Sequence, residues 1–215
     1  MSSDPVSASP RDRLPSVDRL LALSDGVVAI AITLLVLQLN VPSPANLADP
    51  NSASELAVQL GKEADRLVSY VISFYVIAQF WLVHHRVFQR ITGQQEGLAW
   101  WNFAFLFTIT IMPFTSDLLG EFSANPLAVD VFAVNLLLAT VATQLTVIYS
   151  RRKDLQAAET AQETRAAQFR AAASALVIAL SIGISWVNPN AAKYCWLLLA
   201  VAPRIADHWS GRQSG

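Results

Sequence analysis

The sequence predicts an all-α, polytopic membrane protein with six transmembrane helices. Three observations carry that reading. Of 215 residues, 53% are hydrophobic and 14% charged, and the mean hydropathy of +0.40 is not that of an ordinary soluble domain. Six apolar segments, at 19–39, 67–88, 98–119, 127–149, 167–187 and 191–207, each approach the roughly 20 residues that about 30 Å of hydrocarbon requires. Lys and Arg are also segregated: with the N-terminus cytoplasmic, twelve of the fifteen lie on or near the inner side, leaving Lys62, Arg66 and Lys193 outside. A helix count wrong by one would blur that split. It places both termini inside.

The expected organisation is a disordered cytoplasmic tail at 1–17, rich in proline and small polar residues, a six-helix domain at 18–208, and a short cytoplasmic tail at 209–215. The first apolar run is too long and lacks the small-residue cleavage pattern of a signal peptide, so it is expected to remain as a helix. A net charge of −1 gives no basis for a nucleic-acid partner. The single cysteine, Cys195, excludes an intrachain disulfide and a cysteine metal cluster, and its apolar neighbours predict core packing.

The first segment, RLLALSDGVVAIAITLLVLQL, carries Asp25 about 9 Å inside the apolar run. A carboxylate at such depth needs a partner or water. The linker VPSPANLADPNSAS reads as an exposed external loop. Helix formers in 55–66 allow the second segment to begin early. That segment ends with WLVHHR, returning His84 and His85 to the level of Asp25, and the third begins there with Trp101 and Asn102. Ser24, Asp25, His84, His85, Trp101 and Asn102 are thus expected to form one polar layer across three helices. A metal site is disfavoured, because adjacent histidines point about 100° apart. A proton relay through His84 or His85 stays open.

Pro113 is expected to interrupt the third segment. Between the fourth and fifth, RRKDLQAAETAQETRAAQFR is charged, Ala-rich and Pro-free, predicting a cytoplasmic helical extension. Arg151, Arg152 and Lys153 there act as topology determinants or meet lipid headgroups. The sixth segment is the weakest, with Lys193 near its start and Pro203 near its end.

On the first helix Ile30, Leu34 and Leu37 form an apolar stripe with Leu23 below it. Asp25 lies about 140° around the helix from Ile30. If Asp25 faces its own subunit, the stripe faces either lipid or a symmetry axis shared with other subunits.

Arg19, then Leu23, Ser24 and Asp25, then AIAIT ending at Thr33, resembles the first-helix signature of the transmembrane protein 175 potassium-channel family, whose usual motif is Arg-x-x-x-Phe-Ser-Asp. WLVHHR and WNFAFLFTITIMPF are similar to the family's second and third helices, with Leu23 replacing a phenylalanine and Met112 a leucine. The resemblance implies a bacterial inner-membrane homologue, four subunits about one axis, and a first helix lining the pore. It implies permeating monovalent cations, potassium among them, no cofactor, and partners limited to the chain itself and the bilayer. The constriction would fall on Ile30, with Leu34 and Leu37 further out, and Arg19 would support the polar network. Thr33 would offer its hydroxyl to a passing ion or bond back to the Ala29 carbonyl.

Three function classes follow: a cation channel with weak to moderate potassium over sodium preference, a proton-coupled secondary transporter using Asp25 and the histidines, or a membrane enzyme. The sequence holds no HExxH, nucleophile elbow, Gly-rich phosphate loop or paired acidic site, so an enzyme is disfavoured.

Overall fold

A computed structural model describes residues 16–93, 95–157 and 160–196. Ser16 caps the first helix, accepting from the Arg19 N–H at 3.3 Å. That helix, α1, spans Val17–Leu34 and tightens into a 3₁₀ turn over Leu35–Gln38. Residues i and i+3 eclipse in a 3₁₀ turn, so Leu37 stands nearly in line above Leu34. The linker contains a short 3₁₀ turn at Pro44–Asn46, then α2 over Ala53–Lys62. Glu63 separates α2 from α3, Ala64–Gln89, so the early start expected for the second segment is a distinct helix.

The remaining helices are α4 at Glu96–Glu121, α5 at Pro126–Arg152, α6 at Ala161–Ser185 and α7 at Pro189–Cys195. Among the described residues five stretches are long and apolar enough to cross a membrane: α1 with its 3₁₀ turn, α3, α4, α5 and α6. The expected sixth span starts within α7, and its part beyond residue 196 lies outside the described residues, as do residues 1–15 of the expected 1–17 tail and the whole 209–215 tail.

Helix α4 is the hub. It packs on α1, α3 and α5, while α6 rests on α5 and α7. The core is built from Ile72 and Ile77 of α3, Phe105, Ile109 and Met112 of α4, and Phe132 and Leu136 of α5. Hydroxyls inside this core are satisfied locally: Thr140, Thr143 and Thr146 each donate to the carbonyl four residues back at 2.9–3.0 Å. Asn135 Nδ2 crosses to the Thr108 carbonyl at 3.0 Å, tying α5 to α4.

Three expectations need correction. Pro113 does not interrupt its helix: α4 runs through it. Gln38 Nε2 donates to the Pro113 carbonyl at 2.6 Å, and Gln38 Oε1 accepts from Ser116 at 2.9 Å. The charged connection after α5 is not one helical extension. Asp154 takes φ 53, the Thr92 N–H donates to the Leu155 carbonyl at 2.7 Å, and Ile91 bridges Gln156. Helix α6 then restarts with a Thr160–Glu163 capping box. Cys195 is half-buried, not a core residue. Its neighbour Trp196 takes that place, stacked 4.7 Å from Phe132.

At the opposite end of the bundle from that bridge, Arg66 pairs with Glu63, Asp117 and Glu121. Asp130 accepts there from Ser185 Oγ at 2.7 Å and Trp186 Nε1 at 2.9 Å.

Candidate functional site

The two faces of α1 have different fates. Leu20, Ser24, Val28, Ala31 and Leu35 are buried against α3 and α4. The opposite face is uncovered: Ile30 is 61% exposed and Leu37 74%, with Leu23 and Leu34 also exposed. Thr33, beside the stripe, is exposed, and its hydroxyl donates to the Ile30 carbonyl at 2.8 Å rather than to Ala29. Its oxygen keeps two acceptor lone pairs.

The polar residues of α1 separate into two clasps. In the first, fully buried, the Ser24 hydroxyl lies 2.7 Å from the Leu20 carbonyl and 3.1 Å from Asn102 Oδ1. His84 Nε2 meets the same amide oxygen at 2.7 Å. An amide oxygen only accepts, so Nε2 carries the proton. The imidazole is sandwiched between Phe88 and Phe105, with ring centroids 4.3 and 4.5 Å away. One acceptor thus joins α1, α3 and α4.

In the second clasp Trp81 Nε1 donates to Asp25 Oδ1 at 2.7 Å. His85 lies against the Trp81 ring at 5.4 Å between centroids, and its Nε2 bonds to Gln89 at 2.9 Å. Among the described residues no hydrogen bond joins the indole of Trp101 or the exposed guanidinium of Arg19 to either clasp. Trp81 and Gln38 were not singled out in the sequence. Trp81 had a signal, lying four residues before His85 on the same helical face. Among the described residues no group of three or more His, Cys, Asp or Glu side chains comes together to hold a metal ion.

Asp25→Ala is expected to orphan the Trp81 N–H and weaken the docking of α1 on α3 by about 1 kcal/mol. The yield of folded protein on gel filtration should fall, while the potassium over sodium preference of what folds stays unchanged. Altered ion preference in a well-assembled variant would instead put this carboxylate in a conduction path.

α1 thus carries polar clasps on its buried side and an apolar stripe on its exposed side, within a helical membrane bundle whose other long helices also expose apolar side chains. The comparisons place this bundle in a channel family. Residues 19–113 match the family described as endosomal/lysosomal potassium channel TMEM175. The chain is 30% identical over 182 residues to a potassium channel of Streptomyces collinus, covering 79% of this chain and 82% of that one. It is 32% identical over 126 residues to a potassium channel of a Chryseobacterium species, covering 58% and 59%. Against the human endosomal/lysosomal proton channel TMEM175 it is 30% identical over 132 residues, covering 61% of this chain and 25% of the human protein. The crystal structure of a lysosomal potassium-selective channel TMEM175 homolog from Chamaesiphon minutus shares its fold, with a TM-score of 0.67 at 24% identity over 93% of this chain and 98% of that one. The chain belongs to the TMEM175 channel family. Its match spans about three fifths of the Chryseobacterium relative and a quarter of the human one.

Proposed function

We propose that this chain forms a potassium-permeable cation channel, a homotetramer of six-span subunits with α1 lining the pore. The observation that carries the reading is the division of α1: one face is bonded into its own subunit, and the other presents Ile30, Leu34 and Leu37 with nothing covering them. Four copies arranged with α1 inward would bury that stripe around an axis. Ile30 then forms the narrowest ring and Leu34 and Leu37 the next turns outward. Arg19 stands at the mouth and Thr33 beside the stripe.

A ring of branched apolar side chains gates by dewetting, and it offers an ion no ligands. Selectivity then rests on how much hydration the passage strips. Potassium gives up water more readily than sodium, so the preference for potassium is weak to moderate. The segregation of Lys and Arg supports an inner-membrane orientation with both termini cytoplasmic.

A second reading, proton passage or proton coupling, is favoured by the name of the human relative. Geometry weighs against Asp25 and His85 as its relay. The indole N–H between them is a donor only and cannot accept a proton to pass on.

Liposomes holding the purified protein, with potassium, sodium and proton gradients imposed separately, test both. Flux that follows the potassium gradient alone and exceeds sodium flux supports the channel. Saturable flux that requires a proton gradient would replace it with a transporter.

A further inference from the structure

A cavity of about 690 Å³ opens between α3, α5 and α6, within the size range of small-molecule sites. It exists because α6 packs on α5 and α7 and lines the gap toward α3 with Ala166, Ala167 and Ala171. These side chains are too small to fill it.

The lining is graded along the helix axes. At one end stand Arg86 of α3, Arg90 at its C-terminal cap, Arg151 of α5 and Arg170 of α6, and among the described lining residues Glu163 is the one carboxylate. That carboxylate accepts from the Thr160 N–H and hydroxyl at 2.9 and 3.0 Å, in the cap of α6. Arg86 Nε donates to the Leu82 carbonyl at 3.1 Å, which fixes the direction of its fork. Seven residues from Arg86 and from Arg151, about 10 Å toward the middle of the bundle, Gln79 and Gln144 present amides. The accessible apolar wall is Phe80 and Val83, both partly exposed, while Val76 and Ile178 close the far end from the core and the Thr140 hydroxyl there is turned back to the Leu136 carbonyl at 2.9 Å. Arg86 to Val76 spans about 15 Å along α3, the thickness of one hydrocarbon leaflet.

We propose that this cavity is a binding site for an anionic phospholipid. The phosphate sits on the arginine tier, whose forks match its oxygens in shape and charge. The ester carbonyls accept from the Gln79 and Gln144 amides, and an acyl chain lies against Phe80 and Val83. A soluble phosphate would satisfy the arginines but leave the apolar wall unused. Basic pockets between transmembrane helices are a known form of headgroup site. The proposal does not depend on where the pore lies.

The test uses the full-length protein and two probes, phosphatidylglycerol and phosphatidylcholine, with bound lipid measured by native mass spectrometry after detergent washing. The native protein is expected to retain phosphatidylglycerol and lose phosphatidylcholine. Arg86→Gln with Arg170→Gln is expected to lower retention about tenfold or more. Val83→Trp, which fills the apolar wall without changing charge, should lower it as well. Inorganic phosphate should not displace the lipid from the native protein. Equal retention of both lipids, retention unchanged in the variants, or displacement by inorganic phosphate would each overturn the site. The first and third are read on the native protein, so a variant that fails to fold does not block the decision.

Discussion

Replacing Ile30 with Asn is expected to raise cation flux about tenfold, equivalent to about 1.4 kcal/mol of barrier, and to bring potassium and sodium fluxes closer together. The side chain is 61% exposed on α1, opposite the buried face that carries Ser24, Val28 and Ala31. In the proposed tetramer a ring of amides would hold water where isoleucine expels it, and would supply oxygen ligands that sodium accepts as well as potassium does. Ile30→Ala should act in the same direction by widening the ring. Leu34→Ala should do less, because Leu34 lies one turn outward. Flux from single-channel recording or liposome assay decides. Unchanged conductance and selectivity in a properly assembled Ile30→Asn protein would return the stripe to lipid.

Replacing Asn102 with Leu should be the most destabilising single change among the polar residues of the first three spans. Its Oδ1 is the acceptor shared by Ser24 and His84. Interhelical hydrogen bonds in membranes average only about 0.6 kcal/mol, because the unfolded reference also finds partners. His84 sits at the other extreme. It is buried between Phe88 and Phe105, so the orphaned Nε2–H has nowhere to turn, and the loss should approach about 1–3 kcal/mol. Ser24 retains the Leu20 carbonyl and contributes less. Thermal unfolding in detergent should show a larger drop for Asn102→Leu than for Asp25→Ala, whose carboxylate is only half-buried. A variant as stable as the native protein would show that the clasp holds nothing.

Apolar run lengths in the sequence located four of the five described spans to within about three residues, because bilayer thickness leaves little choice of helix length, while α6 starts six residues before the expected 167. Depth arguments also placed Ser24, His84 and Asn102 at one level, where the structure brings them together. What the sequence did not reveal was how a layer divides. His84 and His85 are adjacent, so about 100° of rotation sends one into the core and the other to the Trp81 face. That split depends on how α3 is turned against α4, a tertiary matter. The helix break after Arg152 was hidden for a similar reason. Its residues are good helix formers, and what stops them is the pairing of Leu155 and Gln156 with Ile91 and Thr92 from a distant turn. Gln38, which drew no attention in the sequence, is a three-way anchor through Pro113, Ser116 and, by its carbonyl, Arg66 at 3.3 Å.

The most direct test of the pore assignment places one cysteine at Ile30 in a Cys195→Ser background and follows potassium flux before and after silver ion. Silver is a small monovalent cation that travels where potassium does and binds thiolate on arrival. The α1-lined pore predicts that flux through Ile30→Cys channels is blocked, and that Phe107→Cys, on the exposed face of α4, is insensitive. Silver-resistant flux through assembled Ile30→Cys channels, or equal block at Phe107→Cys, would contradict it.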